Sequence, residues 1–253
     1  MNSTSTIDKY IKLSWQIVQN DVVLACGITV ITIVMGAGVG IIGTLLLLPV
    51  GFLLLFNAAR KLFYTSLYGQ GATMYQSLPV KPEEIVLGKV FAMTAADMLY
   101  MVVMVACLFA AALLSGDYTQ GGAFNLPQFI ASLADLEYLS GFDVPYVIAV
   151  GIAGYAISEF RLWMLVLFGI VWYNSLPQSA KGGLTKLAAV AIVAGVQIGL
   201  GYIVRMITEI SGEPYWLPAE SAGILLDVIA AVVLYKLTVK RMKCSDNAGW
   251  EVA

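Results

Sequence analysis

Long apolar runs separated by short polar stretches dominate the chain. A helix needs about 20 apolar residues to cross the hydrocarbon core of a bilayer. On that criterion we predict six transmembrane spans, at about residues 17–35, 41–60, 88–114, 144–173, 187–210 and 219–239. The glycine-rich run at 36–43, GAGVGIIG, predicts a tight turn between the first two spans. We therefore expect an all-α membrane protein in which residues 1–253 form a single transmembrane domain.

The composition supports this class and excludes several chemistries. Apolar residues make up 60% of the chain and charged residues only 12%, whereas soluble domains carry about 25% charged residues. The absence of histidine removes Ser-His-Asp hydrolysis and histidine zinc sites. No phosphate-binding G-x-x-x-x-G-K-[ST] motif is present. We expect no catalytic residue, metal ligand or cofactor site on this chain, which disfavours an intramembrane enzyme.

The basic residues predict the orientation in the membrane. Lysine and arginine are enriched in cytoplasmic loops, and 12 of the 14 basic residues fall on one side of the predicted spans. They are Lys9, Lys12, Arg60, Lys61, Lys81, Lys89, Lys181, Lys186, Lys236, Lys240, Arg241 and Lys243. The opposite loops carry acidic residues and no basic one. We predict a multi-pass protein of the inner or plasma membrane with both termini in the cytoplasm.

The N-terminal segment has helical spacing of apolar and polar positions. Tyr10, Ile11, Trp15 and Val18 alternate with polar residues, and tryptophan with lysine is typical of a membrane interface. We predict an interfacial N-terminal helix along the cytoplasmic face. The alternative is a simple cytosolic extension of the first span.

A charge within a span is costly to bury unless it faces a partner or water, and five such residues are candidates for a functional role. They are Asp97, Glu159, Arg161, Arg205 and Asp227. Glu159 and Arg161 are two positions apart and point in different directions on one helix, so we expect each to pair with another helix. Structural ion pairs and the polar lining of a translocation path are the two interpretations.

The segment 77–89, SLPVKPEEIVLGK, is unusually polar for its place between two apolar runs. Pro82 suits a first helical turn because its missing N–H needs no acceptor there. Glu83 and Glu84 follow, where the helix dipole favours negative charge. The pattern predicts a short, rigid cytoplasmic helix that leads directly into the third span.

These features together resemble the membrane subunits of ABC transporters of the second type, the exporter permeases. Such permeases have six spans and a cytoplasmic segment similar to LYG at 67–69, LPV at 78–80 and EIVLGK at 84–89. The topology covers nearly the whole chain, and the motif covers about 25 residues. One departure is the short stretch 211–221, where many of these permeases carry paired re-entrant helices.

The resemblance implies a non-catalytic permease subunit, a coupling helix and a set of partners. The coupling helix would comprise Leu78, Pro79, Val80, Lys81, Pro82, Glu83, Glu84 and Ile85. It would dock on a separate ATPase, expected in two copies, which would hold the ATP and magnesium. A homodimer of the permease in the lipid bilayer would export amphipathic or hydrophobic substrates, as bacterial exporters of antimicrobial peptides and phenol-soluble modulins do. The charged residues within the spans are candidates for its path, and no nucleic acid partner is expected.

A second interpretation needs no ATPase. An ion-coupled secondary transporter, or a membrane protein that binds a small molecule, would use Asp97, Glu159 or Asp227 as its coupling carboxylates. The absence of inverted halves and of paired broken helices disfavours it.

Overall fold

The structure, a computed structural model, describes residues 3–39, 41–69, 81–114, 144–211 and 216–244, with side chains for most of them. These residues are almost entirely helical and contain no strand. The six long helices are α1 (Ser3–Val39), α2 (Ile41–Ala59), α3 (Pro82–Leu114), α4 (Val144–Asn174), α5 (Gly183–Ser211) and α6 (Trp216–Cys244). Helix α2 continues as a π-helical segment, Arg60–Thr65, and a last α-helical turn, Ser66–Tyr68. A short 3-10 helix, Gln178–Ala180, connects α4 to α5.

Within the described ranges, five helices are long and apolar enough to cross a membrane. The candidate spans are Asp8–Ile33, Pro82–Cys107, Ile148–Asn174, Gly183–Ile203 and Ala222–Lys243. The chain is therefore an all-helical, multi-pass membrane protein, as its composition predicts. The predicted second span coincides with α2, and the total of six spans stays a prediction, as do the kind of membrane and the side on which the termini lie.

Helix α1 corrects the predicted interfacial helix. It runs for 37 residues without a break, about 55 Å at 1.5 Å per residue, which exceeds the roughly 30 Å hydrocarbon core. Tyr10, Ser14, Val18 and Val22 are buried at steps of four residues, so they form one stripe along the helix. A separate interfacial helix is wrong, because this stripe packs α1 against α3 along its length. The alternative, an extension of the first span, agrees with the structure.

The reversal between the first two helices is shorter than the glycine run suggests. Helix α1 ends at Val39 and α2 begins at Ile41, so Gly36 and Gly38 belong to α1. The two helices pack against each other. Gly36 and Gly38 are therefore helical residues of α1, and Gly40 lies outside the described residues.

The best-packed part of the bundle lies where α2 ends and α3 begins. Its fully buried side chains include Leu62, Phe63, Ile85, Met93 and Met164, contributed by α2, α3 and α4. Helix α5 differs, since only 6% of its apolar window is buried within the chain. A large apolar surface of α5 therefore faces outward from the single chain.

Close packing at Gly51 gives a test of the arrangement of α1, α2 and α3. A Cβ at Gly51 would lie 2.9 Å from Thr29 Oγ1 and even closer to the Tyr100 hydroxyl. The Thr29 hydroxyl also donates a hydrogen bond to Tyr100 Oη at 3.1 Å. We expect Gly51→Val to lower the free energy of unfolding by about 1–3 kcal/mol through overpacking, measured by thermal denaturation in detergent. Gly151→Val is the matched control, because nothing lies within 4 Å of its added Cβ; equal effects of the two changes would contradict the packing.

Candidate functional site

Helix α3 begins where the sequence predicts a helix start. The Lys81 carbonyl accepts the backbone N–H groups of Glu84 and Ile85 at 3.0 and 3.2 Å, and Pro82 is the first helical residue. Glu83 and Glu84 lie in the first turn. The helix then continues unbroken to Leu114, so the predicted start leads directly into the third span, and the coupling role of this start stays a prediction. Leu78, Pro79 and Val80 lie outside the described residues.

An ion pair connects this first turn to the end of α6. Lys243 Nζ lies 2.5 Å from Glu83 Oε1, and the two side chains are 56% and 33% exposed. A pair with this exposure stabilises a protein by about 0–1 kcal/mol. Its main consequence is therefore geometric, because it fixes which face of α6 meets α3.

A buried lysine connects α3 to the end of α2. The side chain of Lys89 is fully buried, and its Nζ donates hydrogen bonds to Leu62 O at 2.8 Å and to Ser66 Oγ. The Ser66 hydroxyl also donates to Leu62 O. Leu62 lies in the π-helical segment, where the Ser66 N–H bonds to Lys61 O five residues back. This altered backbone pattern brings side-chain donors to the Leu62 carbonyl, and π-helical turns frequently occur at functional sites.

Two further features complete this junction between α1, α2 and α3. Lys61 Nζ lies 2.8 and 2.9 Å from the two carboxylate oxygens of Asp21, which connects α2 to α1. A Cβ on Gly88 would lie 3.4 Å from the Tyr10 ring, so α1 and α3 are in close contact. Burial raises the pKa of the Tyr68 phenol, which therefore stays neutral at physiological pH. We use the name α2–α3 junction for three sets of contacts together. They are the hydrogen bonds of Lys89, the Asp21–Lys61 ion pair and the Glu83–Lys243 ion pair.

Deeper in the bundle, two carboxyl groups from α3 and α4 face each other. Asp97 accepts a hydrogen bond from Trp163 Nε1 at 3.2 Å and is 8% exposed. The Glu159 side chain interacts with both the Asp97 carboxyl and the Tyr155 phenol. The two acidic side chains therefore lie near each other, with an indole N–H and a phenol as their polar neighbours.

A second polar cluster joins α4, α5 and α6. Arg161 Nε lies 2.6 Å from Asp227 Oδ1, and Arg161 also donates to Gln197 Oε1 at 2.5 Å and to Ser158 Oγ at 3.3 Å. The guanidinium is almost completely buried. A buried arginine with one carboxylate is electrically neutral overall, which lowers the cost of its place within a span.

The structure confirms the expected pairing for Arg161, which forms an ion pair with Asp227 of α6. Glu159 lies beside Asp97 of α3, another acid, and forms no ion pair with another described residue. The path-lining role of these residues stays a prediction. Helix α5 contains Arg205, but its side chain lies outside the description.

Sequence reasoning missed the polar partners of these charges. They are Ser66, Tyr155, Trp163 and Gln197, together with the buried position of Lys89. The buried position of Lys89 could have been predicted, because this lysine lies eight residues before Asp97 within one apolar run. For the others, an uncharged polar residue in a span gave no indication of which helix it faces.

Along the described part of the chain, no group of three His, Cys, Asp or Glu side chains could hold a metal ion. The G-x-x-x-G pair in α5 has open space beside it, since nothing lies within 4 Å of a Cβ added at Gly195 or Gly199. Among the described residues, nothing packs against this pair of glycines, and a dimer contact there stays a prediction.

Comparisons with known proteins identify no relative. No protein family matches the chain, and neither a curated protein nor a solved structure matches it. The function must therefore be argued from the sites themselves.

The Arg161–Asp227 pair gives a direct test of the second cluster. Arg161→Met leaves the half-buried Asp227 carboxylate unpaired, and we expect the free energy of unfolding to fall by about 3 kcal/mol, the low end of the range for a buried pair. Adding Asp227→Leu removes that charge, so the double variant should recover most of the loss. Thermal denaturation in detergent measures both.

The control is Lys12→Met, which removes an exposed pair with Asp8 (side chains 73% and 64% exposed) and should change stability little. Equal losses in the Arg161→Met and double variants would show that the two side chains are not energetically coupled.

Proposed function

We propose that the chain is the membrane-spanning permease subunit of an ATP-driven exporter, coupled to a separate ATPase. In this proposal it resembles the ABC exporter permeases of the second type, acts as a homodimer with two ATPase copies, and exports amphipathic or hydrophobic substrates such as peptides. It carries out no chemistry itself, and ATP with magnesium is bound by the partner.

The observation that supports the proposal most is the way the start of α3 is held. Its first two turns contact α6 through Glu83, α2 through Lys89 and α1 through Gly88. An element attached to three other helices cannot move alone, so a displacement imposed on it is passed to the bundle. A coupling element requires this property, whereas an ordinary loop between spans does not.

The same turn also presents groups that a partner could contact. The Lys81 side chain is exposed. Glu84 is half-buried, and its carboxylate has no hydrogen bond or ion pair with any other described residue. Glu83 is different, because it is already paired with Lys243. We therefore assign docking to Lys81 and Glu84, and attachment of the first turn to Glu83.

The proposal predicts that Glu84→Arg disrupts the complex without unfolding the chain. A tagged chain, purified from membranes that also express its genomic neighbours, should bring down an ATPase. We expect Glu84→Arg to reduce the recovered ATPase by at least fivefold, because a repelled charge at a docking contact costs about 1 kcal/mol or more, while the melting temperature of the chain stays unchanged.

Asp8→Arg is the control, since it reverses an exposed acidic charge elsewhere on the predicted cytoplasmic side. Glu83→Arg tests attachment separately, and should reduce substrate-stimulated ATP hydrolysis more than ATPase recovery. If no ATPase associates with the wild-type chain, the proposal is wrong.

The facing carboxyl groups favour one alternative, an ion-coupled transporter that works without an ATPase. Asp97 and Glu159 come from different helices and have a phenol and an indole N–H beside them. A proton held between two helices is a common means of coupling in transporters. This arrangement supports proton coupling.

The alternative predicts a proton flux through the purified chain alone. In proteoliposomes with a trapped pH-sensitive dye and an imposed membrane potential, the wild type should acidify the lumen without nucleotide. Asp97→Asn or Glu159→Gln should reduce the rate by at least tenfold, because neither amide can take up the proton. Glu83→Gln is the control, since its carboxylate lies outside this cluster. A proton flux above that of protein-free vesicles that neither variant reduces would contradict the alternative.

A further inference from the structure

Two adjacent cavities lie where α3 meets α6, and together we call them the groove. On α3, Glu83, Leu87, Phe91 and Thr94 succeed one another at steps of four, four and three residues, so they lie on one face. Leu87, Phe91 and Thr94 of this face line a cavity of about 420 Å³. Its other walls come from α4 and α6, including Phe160, Met164, Val228 and Val232. Thr94 and Tyr235 are the polar residues in an otherwise apolar lining.

The groove opens at one end into a basic pocket. This second cavity, of about 470 Å³, is lined by Glu83, Tyr235, Lys236, Val239, Lys240 and Lys243. Tyr235 lines both cavities, and Glu83 lies one helical turn before Leu87. The apolar cavity and the basic pocket are therefore consecutive parts of one groove.

The charges in the basic pocket are not balanced. Lys243 is paired with Glu83, whereas Lys236 and Lys240 have no anionic partner among the residues described. Three lysines and one glutamate leave two positive charges beside an apolar cleft. Basic pockets between transmembrane helices on the cytoplasmic side are typical sites for anionic lipid headgroups.

We propose that this groove binds one anionic phospholipid, with its phosphate on Lys236 and Lys240 and an acyl chain between α3, α4 and α6. The dimensions agree with a lipid of a single leaflet. From Glu83 to Thr94 the groove follows α3 for eleven residues, about 16 Å. This is roughly half of the 30 Å hydrocarbon core. The inference is independent of the transport function, because it rests only on the groove and its charges.

Native mass spectrometry of the purified full-length chain in a neutral detergent tests the site. The probes are phosphatidylglycerol and phosphatidylcholine with identical acyl chains. Each basic residue near an anionic surface contributes a factor of about five in affinity. We therefore expect phosphatidylglycerol to bind more tightly than phosphatidylcholine, and Lys236→Gln with Lys240→Gln to remove a factor of roughly 30 from that preference.

The matched control is Lys9→Gln with Lys181→Gln, which removes the same charge elsewhere on the predicted cytoplasmic side and should leave the preference unchanged. Ala156→Leu narrows the apolar cavity and should weaken binding of both lipids while leaving the headgroup preference intact. Glycerol phosphate without acyl chains should not compete.

Three outcomes would overturn the proposal. Equal affinity for the two lipids would show that the lysines serve another partner, such as an acidic protein surface or a second copy of this chain. Equal effects of the two double variants would show that only net charge matters. Competition by glycerol phosphate would show that the site binds a phosphate anion without any contribution from the apolar cavity.

Discussion

The buried amino group of Lys89 makes the interaction on which the arrangement of the helices most depends. A polar group without solvent is tolerated only when fixed hydrogen-bond partners are present, and here the end of α2 supplies them. The π-helical segment Arg60–Thr65 brings Leu62 O and Ser66 Oγ to the lysine. This contact fixes the position and rotation of α3 relative to α2. The buried stripe of α1 and Lys243 of α6 then contact faces of α3 whose orientation this interaction has determined.

The same constraint positions α4 in the middle of the bundle. The hydrophobic effect does not drive two apolar helices together in a bilayer, so close packing and hydrogen bonds decide which helix faces are in contact. Helix α4 has one set of polar contacts toward α3, through Glu159 and Trp163, and another toward α6, through Arg161. Rotation of α4 would break both sets together. It is therefore held between two polar contacts rather than by shape alone, and α5, with few buried residues, is held much less firmly.

The sequence predicted the helical class, the candidate spans and the start of α3, because each depends on local hydropathy or on local helix chemistry. It also predicted that Glu159 and Arg161 separate, since their spacing on one helix determines this. It left the continuity of α1 as the alternative to an interfacial helix, although the steps of four from Tyr10 to Val22 favour the continuous helix. The partners of Lys89 and Arg161 could not be predicted, because the neighbour of a helix and its rotation are properties of the assembled bundle.

The first turn of α3 belongs to both proposed sites, and this connects them physically. Glu83 pairs with Lys243 in the α2–α3 junction, and the same two residues close the basic end of the groove. A partner that pulled Glu83 away would free a third lysine in the pocket and strengthen its attraction for an anionic headgroup. By thermodynamic linkage, a bound lipid would then favour the docked position of α3 to the same degree. Under the two proposals together, this ion pair of small net stability would connect the groove to the docking contact of the ATPase, because breaking the pair changes the charge that a lipid headgroup meets.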